Sequence, residues 1–179
     1  ILYRVEAKNF VIANCGFANF WALGGDYRFV HGTIANYWNA NEHNNNEHAV
    51  SVANRAIDAN DEYFYYPFHM EMENCIIYGK QKDEFKGVFG PDADSSYVFD
   101  HCLIRSEQYN NDMPGFHQCL FNLDPMFADP LKPDCHIDSL ASPVIGMGNP
   151  LIGNQVPYDL DGVSRVGAPD MGAYQFVGQ

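Results

Sequence analysis

The chain has 179 residues, with 23 Asp or Glu against 10 Lys or Arg, and its formal net charge at neutral pH is −13. This charge disfavours nucleic acid and anionic membrane surfaces as partners. No segment approaches the roughly 20 consecutive apolar residues of a membrane-spanning helix. We therefore expect one buried core and no membrane span.

Short apolar segments, each headed by Asn or His, recur between residues 9 and 106. The heading residues are Asn9, His31, Asn54, Asn74 and His101, at intervals of 22, 23, 20 and 27 residues. Periods of this size indicate stacked repeats, none of which can bury its own apolar face.

Coils stacked about 4.8 Å apart pair as parallel strands and place like residues above like residues. Asn suits a corner of such a coil because its side chain bonds to nearby backbone and tolerates the left-handed conformation. We therefore expect the five heading residues to form a structural ladder in an all-β solenoid of about five coils. Residues 1–121 would form the coils, and residues 122–179 would form a C-terminal module that terminates the solenoid.

The first repeat begins close to Ile1, and no capping segment precedes it in the sequence. A solenoid with an uncapped coil exposes a strand edge and an apolar cross-section. We therefore expect the first coil to dock on an N-terminal remainder of the same protein or on another chain.

Two polar segments between the repeats contain groups that could ligate a metal. Loop 39–48 carries Glu42, His43, Glu47 and His48, and the connection 87–96 carries Asp92 and Asp94. Imidazole suits transition metals, and carboxylates suit hard cations. A solvated loop without fixed geometry explains the same residues, and that alternative stays open.

Segment 61–69 is more aromatic than a solvated loop requires. Its candidate carbohydrate-binding residues are Tyr63, Tyr65, Tyr66 and Phe68. Exposed aromatic rings offer stacking surfaces for the apolar faces of sugar rings. The alternative is that these rings cover the side of the coil.

Glu73 and Asp100 each precede a ladder residue, so we expect their carboxylates to lie one above the other. Together with Arg105 they are the candidate catalytic residues, and Arg28 and Arg55 are further candidates for a base or a substrate clamp. Proton abstraction needs a positioned base, and glycoside hydrolysis needs paired carboxylates. Stacked carboxylates without a compensating base favour a cation site or a solvated pair over catalysis.

Two of the five cysteines, Cys75 and Cys102, directly follow ladder residues and should stack as small buried side chains. We expect this pair to stay reduced. The other three have neither CxxC spacing nor a His at zinc-site spacing, so no structural zinc is expected.

Asp159, Asp161 and Gly162 resemble the start of a calcium loop, although the later Glu of an EF-hand is absent. The two carboxylates are candidate metal ligands, and calcium is the one cofactor that the sequence suggests. The alternative is a chain reversal at Gly162, with Arg165 paired to Asp159 or Asp170.

Four motifs follow one another in the last third: DPMFAD (124–129), CHIDSLASPVIGMG (135–148), DLDGVSR (159–165) and PDMGAYQ (169–175). This order resembles the C-terminal end of bacterial right-handed parallel β-helix proteins of the pectate-lyase-like superfamily, in particular the choice-of-anchor Q group. The departures are Val144, Met171 and Gln175, where that group usually has Ala, Ile and Glu. The resemblance covers residues 122–176, and it implies a right-handed parallel β-helix that is secreted or held at the bacterial cell surface.

The function implied by the resemblance is association with polysaccharide, frequently without catalysis. We therefore predict a surface protein that binds polysaccharide or a partner protein. Two alternatives stay open: a polysaccharide lyase or glycoside hydrolase of the same superfamily, and a structural subunit of a surface assembly.

Overall fold

The computed structural model describes residues 4–38 and 47–178. Over these residues the protein is all-β, with parallel sheets and one short helix. No helix in this part of the chain is long and apolar enough to cross a membrane. The metal-ligand candidates Glu42 and His43 lie outside the described residues.

The strands are short, and most are separated by tight turns. In chain order they are β1 (Arg4–Ala13), β2 (Phe20–Leu23), β3 (Gly25–Asn36), β4 (Val50–Ala53), β5 (Arg55–Ile57), β6 (Tyr63–Tyr65), β7 (Phe68–Glu73), β8 (Ile76–Gly79), β9 (Phe85–Val88), β10 (Ser95–Asp100), β11 (Leu103–Ile104), β12 (Phe116–His117), β13 (Leu120–Phe121), β14 (Phe127–Asp129) and β15 (Asp134–Ile137). The helix, α1 (Pro150–Gly153), is capped by Asn149, whose side chain accepts from the Leu151 N–H.

Two parallel sheets form the body of the protein. The larger sheet has the order β12-β10-β7-β3-β8-β11-β13, with β1 added beside β3, and it curls into a half-barrel. The smaller sheet has the order β2-β4-β9. Two antiparallel pairs, β5 with β6 and β14 with β15, lie outside these sheets.

The main core fills the space between the two sheets. Alternate residues of each strand face it, as period-two geometry requires. Phe20 of the smaller sheet meets Phe29 of the larger sheet with ring centroids 5.0 Å apart, and Phe85 meets Phe99 at 4.8 Å. Burying each such ring stabilises the fold by about 1.5–3 kcal/mol, so these contacts fix the sheets against each other.

Four predicted ladder residues do stack in register. Asn9, His31, Asn74 and His101 adopt left-handed backbone angles, with φ between 49° and 53°, and the strands on either side of them pair residue for residue. The next position in this column is Gln118, which has φ 51° and follows β12.

The prediction that Asn54 belongs to the ladder is wrong. Asn54 follows β4 of the smaller sheet, where its amide bonds to both backbone groups of Gly90, at 2.9 and 2.7 Å. His31 and Asn74 are therefore adjacent rungs although 43 residues separate them. The segment after β3 and the β5–β6 hairpin lie between these two residues in the sequence. The predicted period had divided this stretch into two repeats.

The C-terminal segment, residues 122–178, lies along the flank of the larger sheet, over the ladder. Asn9 Nδ2 donates to Tyr158 O at 2.6 Å, and Asn149 Nδ2 donates to Asp100 Oδ2 at 3.0 Å, so the segment reaches from β1 to β10. Below it, Met171 packs with Ile76 in a second apolar cluster. The division of the chain at residue 122 stays a prediction. The segment itself lies at the side of the stacked strands.

The five cysteines are free thiols, as we predicted for Cys75 and Cys102. Cys75, Cys102 and Cys119 occupy the position after successive ladder residues, and all three are buried. The Cys75 N–H lies 3.4 Å from Cys102 Sγ. Burial raises the pKa of the Cys102 thiol, so this thiol is an unreactive part of the core.

Candidate functional site

The ladder residues His31 and Asn74 form a buried polar network with the C-terminal segment. Asn149 fixes the Asn74 amide, because its N–H donates to Asn74 Oδ1 at 2.7 Å and its carbonyl accepts from Asn74 Nδ2 at 3.1 Å. The same Nδ2 donates to His31 Nε2 at 3.0 Å, and His31 Nδ1 lies 3.3 Å from Gly172 O. This network assigns the proton to Nδ1.

His31 is consequently held as a neutral imidazole. Burial and the nearby Arg165 guanidinium lower the pKa of His31 to about 3. A second proton on Nε2 would point at the Asn74 amide donor, which the Asn149 backbone prevents from turning. The role of this network is to hold the C-terminal segment on the sheet.

The predicted catalytic candidates are only partly brought together. Glu73 and Asp100 pair in register on β7 and β10, as expected. Glu73 Oε2 lies 2.7 Å from Arg28 Nη2, and burial raises the pKa of Glu73 against the opposing effect of Arg28. Asp100 is engaged by His101 Nδ1 at 2.9 Å and by Asn149 Nδ2. Both carboxylates therefore have protein partners.

The other two arginines lie away from this pair. Arg105 follows β11, where Nη1 donates to Gly79 O at 2.6 Å and the guanidinium lies 5.3 Å from the centroid of the Tyr78 ring. Arg55 stacks on Tyr63 in the β5–β6 hairpin, at 5.0 Å. Neither arginine reaches the two carboxylates to serve as a base or a clamp.

The Asp159 carboxylate organises a chain reversal. Its Oδ1 accepts from the N–H groups of Asp161 and Val163, at 2.9 and 2.7 Å, and its Oδ2 accepts from Gln175 N at 2.7 Å. Asp161 lies apart, 2.8 Å from His136 Nε2. The geometry matches the alternative of a turn, and calcium ligation by the two aspartates stays a prediction without supporting geometry.

Arg165 does not pair with Asp159 or Asp170 by direct contact. Its Nη2 donates to Asn9 Oδ1 at 3.0 Å and to Ala173 O at 2.8 Å. Burial lowers its pKa to about 10, while the two nearby aspartates act in the opposite direction. Arg165 thus ties the first strand to the end of the chain.

The aromatic segment divides between the core and the surface. Phe68 is fully buried against Tyr27 and Phe89, so it belongs to the core and cannot contact a ligand. Tyr63 and Tyr66 are about half exposed, and Tyr65 packs beside them. The β5–β6 hairpin therefore presents tyrosine rings to solvent directly after β4.

A groove lies on the outer face of the smaller sheet, whose strand β4 directly precedes this hairpin in the sequence. Trp21, Ser51 and Lys86 are paired across β2, β4 and β9, and all three face away from the core because Ala22, Val50 and Phe85 face into it. We call this site the Trp21 groove. Its other walls are Glu47 and the apolar side chains of Ala53 and Val88.

The chemistry of the Trp21 groove is asymmetric. The Trp21 ring is 58% exposed, whereas Ser51 is only 8% exposed and its hydroxyl has no hydrogen-bond partner among the described residues. The Lys86 ammonium stands at the opposite side, two strand spacings or roughly 10 Å from Trp21. The exposed indole and the Lys86 side chain suit the groove to a polar ligand with one apolar face.

Sequence reasoning missed all three residues of the Trp21 groove. Trp21 and Ser51 stand in four-residue strands, FWAL and VSVA, in which the core alternates with the outer face. That alternation was a usable signal for an exposed Trp. Nothing in the sequence showed that Lys86 would complete the same row, because their alignment depends on loops of different length.

Comparison with protein-family models, with curated proteins and with solved structures finds no match to this chain. The resemblance of residues 122–176 to the choice-of-anchor Q group therefore stays a prediction. The assignment of chemistry to the Trp21 groove rests on its geometry.

Proposed function

We propose that this protein binds polysaccharide in the Trp21 groove and that it is a secreted or cell-surface protein of a bacterium. The resemblance of residues 122–176 supports the location and the class of ligand. The proposed architecture is a right-handed parallel β-helix in which the smaller sheet and the two arms of the larger sheet are successive faces.

The observation that carries the proposal is the exposed Trp21 ring, which stands in one outward-facing row with Ser51 and Lys86. A sugar ring has an apolar face that stacks on an indole and equatorial hydroxyls that bond at its edge. The Lys86 ammonium can donate to such a hydroxyl or to a carboxylate farther along the glycan chain.

Binding of the glycan chain is favoured over its cleavage. Glycosidic hydrolysis needs two carboxylates that flank the scissile bond. In the larger sheet Glu73 is paired with Arg28, and Asp100 is bonded to His101 and Asn149. These carboxylates lie on the larger sheet, whereas the Trp21 groove lies on the smaller sheet. This separation favours binding over cleavage in the groove.

The experiment is affinity electrophoresis in gels that contain xylan, dextran or polygalacturonate, with Trp21→Ala as the test variant. We expect at least one polysaccharide to retard the wild-type protein and Trp21→Ala to weaken binding about tenfold, because aromatic stacking adds roughly 0.5–1.5 kcal/mol to the area that it buries. Trp38→Ala, which removes the other tryptophan, is the matched control. Equal retardation of the wild type and Trp21→Ala would refute the assignment.

The second candidate function is docking of another strand on β1, as part of a surface assembly. β1 pairs with β3 along one edge, and no strand among the described residues pairs with its other edge. Ten residues of unpaired backbone form a template for a further parallel strand. Light scattering of the protein and of Glu6→Pro tests this candidate, because alternation turns the Glu6 N–H to the open edge and proline removes that donor; we expect the variant to associate less than the wild type.

A further inference from the structure

A Ser–His–Asp arrangement lies on the outer face of the larger sheet, away from both the Trp21 groove and the ladder. His69 Nδ1 is 2.9 Å from Ser96 Oγ. The other ring nitrogen, Nε2, is 3.8 Å from Asp94 Oδ2. Of these three residues, the sequence singled out only Asp94, as a possible cation ligand.

Strand geometry produces this arrangement. His69 and Ser96 are direct partners across β7 and β10, and both point outwards because Phe68 and Met70 face the core. Phe68 N donates to Asp94 O at 3.0 Å, which places Asp94 at the start of β10 and next to His69. Ser96 is exposed, so a ligand can reach its hydroxyl.

A groove opens beside Ser96, with a volume of about 390 Å³ and walls formed by 95–98, Pro114, Gly115 and His117. This volume is within the usual range of small-molecule sites. β12 pairs with β10 only at Phe99 and Asp100. Phe99 N donates to Gly115 O, and alternation along the strand turns the Tyr97 N–H to the same side, where it faces the groove.

We propose that Ser96, His69 and Asp94 form a hydrolytic site for small carboxylic esters, in which the Tyr97 N–H stabilises the developing oxyanion. This activity is independent of the polysaccharide binding proposed for the Trp21 groove. The roles follow the known chemistry of such triads: a nucleophile, a base that touches it and a carboxylate that orients the base.

The first step is attack of Ser96 Oγ on the ester carbonyl carbon, as the hydroxyl proton passes to His69 Nδ1. The carbonyl oxygen becomes an anion that accepts from the Tyr97 N–H. The bond to the alcohol oxygen then breaks, and the alcohol leaves with the proton from His69. Water repeats the sequence on the acyl-serine, releasing a carboxylic acid and restoring Ser96. Asp94 Oδ2, 3.8 Å from Nε2, is beyond hydrogen-bond distance, and its charge favours the tautomer with the proton on Nε2, which leaves Nδ1 as the base.

The test is covalent labelling of the full chain with a fluorophosphonate probe, followed by mass spectrometry of the labelled peptide. We expect the adduct on Ser96. Ser96→Ala removes it, and His69→Gln slows labelling by about 100-fold or more, since general-base catalysis contributes 10²–10⁴-fold. Asp94→Asn slows it by about fivefold at most, because that contact is long and exposed.

His136→Gln is the matched control, because His136 is a partly exposed histidine of β15 and does not line this groove. It should label at the wild-type rate. Thermal unfolding of each variant, all altered at exposed or half-exposed positions, establishes that it is folded. An absence of adduct on Ser96 would overturn the proposal, and so would equal labelling rates for the wild type and His69→Gln.

Hydrolysis of p-nitrophenyl acetate gives an independent readout. The wild-type protein should release nitrophenolate faster than Ser96→Ala by about 100-fold or more, and the His136→Gln rate should equal that of the wild type. Equal rates for the wild type and Ser96→Ala would show that the reaction occurs elsewhere on the protein, and they would overturn the assignment of Ser96.

Discussion

On one flank of the parallel sheets the C-terminal segment covers His31 and Asn74, and every bond of the Asn74 amide is made within the chain. On the outer face of the smaller sheet, Trp21 is exposed and the Ser51 hydroxyl has no partner among the described residues. Parallel stacking produces both rows of side chains by the same rule. The difference shows that a row becomes structural where another segment satisfies it, whereas the row of Trp21 and Ser51 has no such segment among the described residues.

The largest effect is expected from Asn74→Ala on the covered flank. The substitution leaves Asn149 N, Asn149 O and His31 Nε2 without their partner, and it places Ala at a φ of 53°. Unsatisfied buried groups cost about 1–3 kcal/mol each, and the left-handed conformation costs about 1–2 kcal/mol. We expect a loss of about 3–5 kcal/mol in the free energy of unfolding, measured by urea denaturation. Asn154→Ala, at an exposed position, should change it by less than about 0.5 kcal/mol.

The covered flank should also respond to pH through His31. Its pKa is about 3 in the folded protein, against 6.5 for the unperturbed group. Below pH 6.5 the unfolded chain takes up a proton that the folded protein does not, so the free energy of unfolding falls until about pH 3. Between pH 6.5 and 4.5 this loss is about 2–3 kcal/mol.

His31→Asn keeps a residue that tolerates the left-handed conformation and removes this titration. The pH dependence of unfolding should therefore be flatter for His31→Asn than for the wild type over this interval. His101→Asn, at another rung of the ladder, is the control for the substitution itself. Identical pH profiles for the wild type and His31→Asn would contradict the neutral assignment of His31.

A smaller effect tests how closely the C-terminal segment approaches the sheet. A Cβ at Gly172 would lie 2.7 Å from Ile76 Cδ1 and 2.8 Å from Thr33 Oγ1, whereas a Cβ at Gly167 meets nothing within 4 Å. The two glycines have similar φ angles, 93° and 97°. The backbone cost of alanine is therefore shared, and Gly172→Ala should destabilise the protein by about 1–3 kcal/mol more than Gly167→Ala. Equal melting temperatures would place the segment farther from the sheet.

The smallest effect on stability, with the opposite sign, is expected in the Trp21 groove. Ser51→Ala removes a buried hydroxyl that has no partner in the described residues, so the free energy of unfolding should stay the same or rise by up to about 1 kcal/mol. Binding of polysaccharide should stay within about twofold of the wild type, because Ser51 Oγ is buried beneath the groove and the proposed contact is made by Trp21. Destabilisation by more than about 1 kcal/mol would mean that Ser51 is structural.

The ladder shows how much of the fold the local preferences of single residues can predict. Asn9, Asn74 and His101 were predicted correctly because Asn and His tolerate a left-handed corner and short apolar strands follow each of them. Gln118 was missed because Gln has no such preference. Asn54 was misassigned because it has the same local pattern but turns the chain at the end of the smaller sheet.

The adjacency of Glu73 and Asp100 was also predictable, because both precede a ladder residue and parallel strands keep that register. The partners of the two carboxylates were not predictable, because Arg28 comes from β3 and Asn149 comes from the C-terminal segment. The aromatic segment divided for a similar reason. Phe68 opens β7 and faces the core, while Tyr63 and Tyr66 precede that strand and remain at the surface.

By itself, the sequence determined the all-β class, the parallel stacking and four corners of the ladder, since these depend on backbone preference and on period-two alternation within short segments. Only the tertiary structure decided which rows are covered and which are open. The lengths of the intervening loops set which strands become neighbours, and the C-terminal segment bonds to residues up to 156 positions away. The network of His31 with Asn74 and the row of Trp21, Ser51 and Lys86 are therefore products of long-range packing.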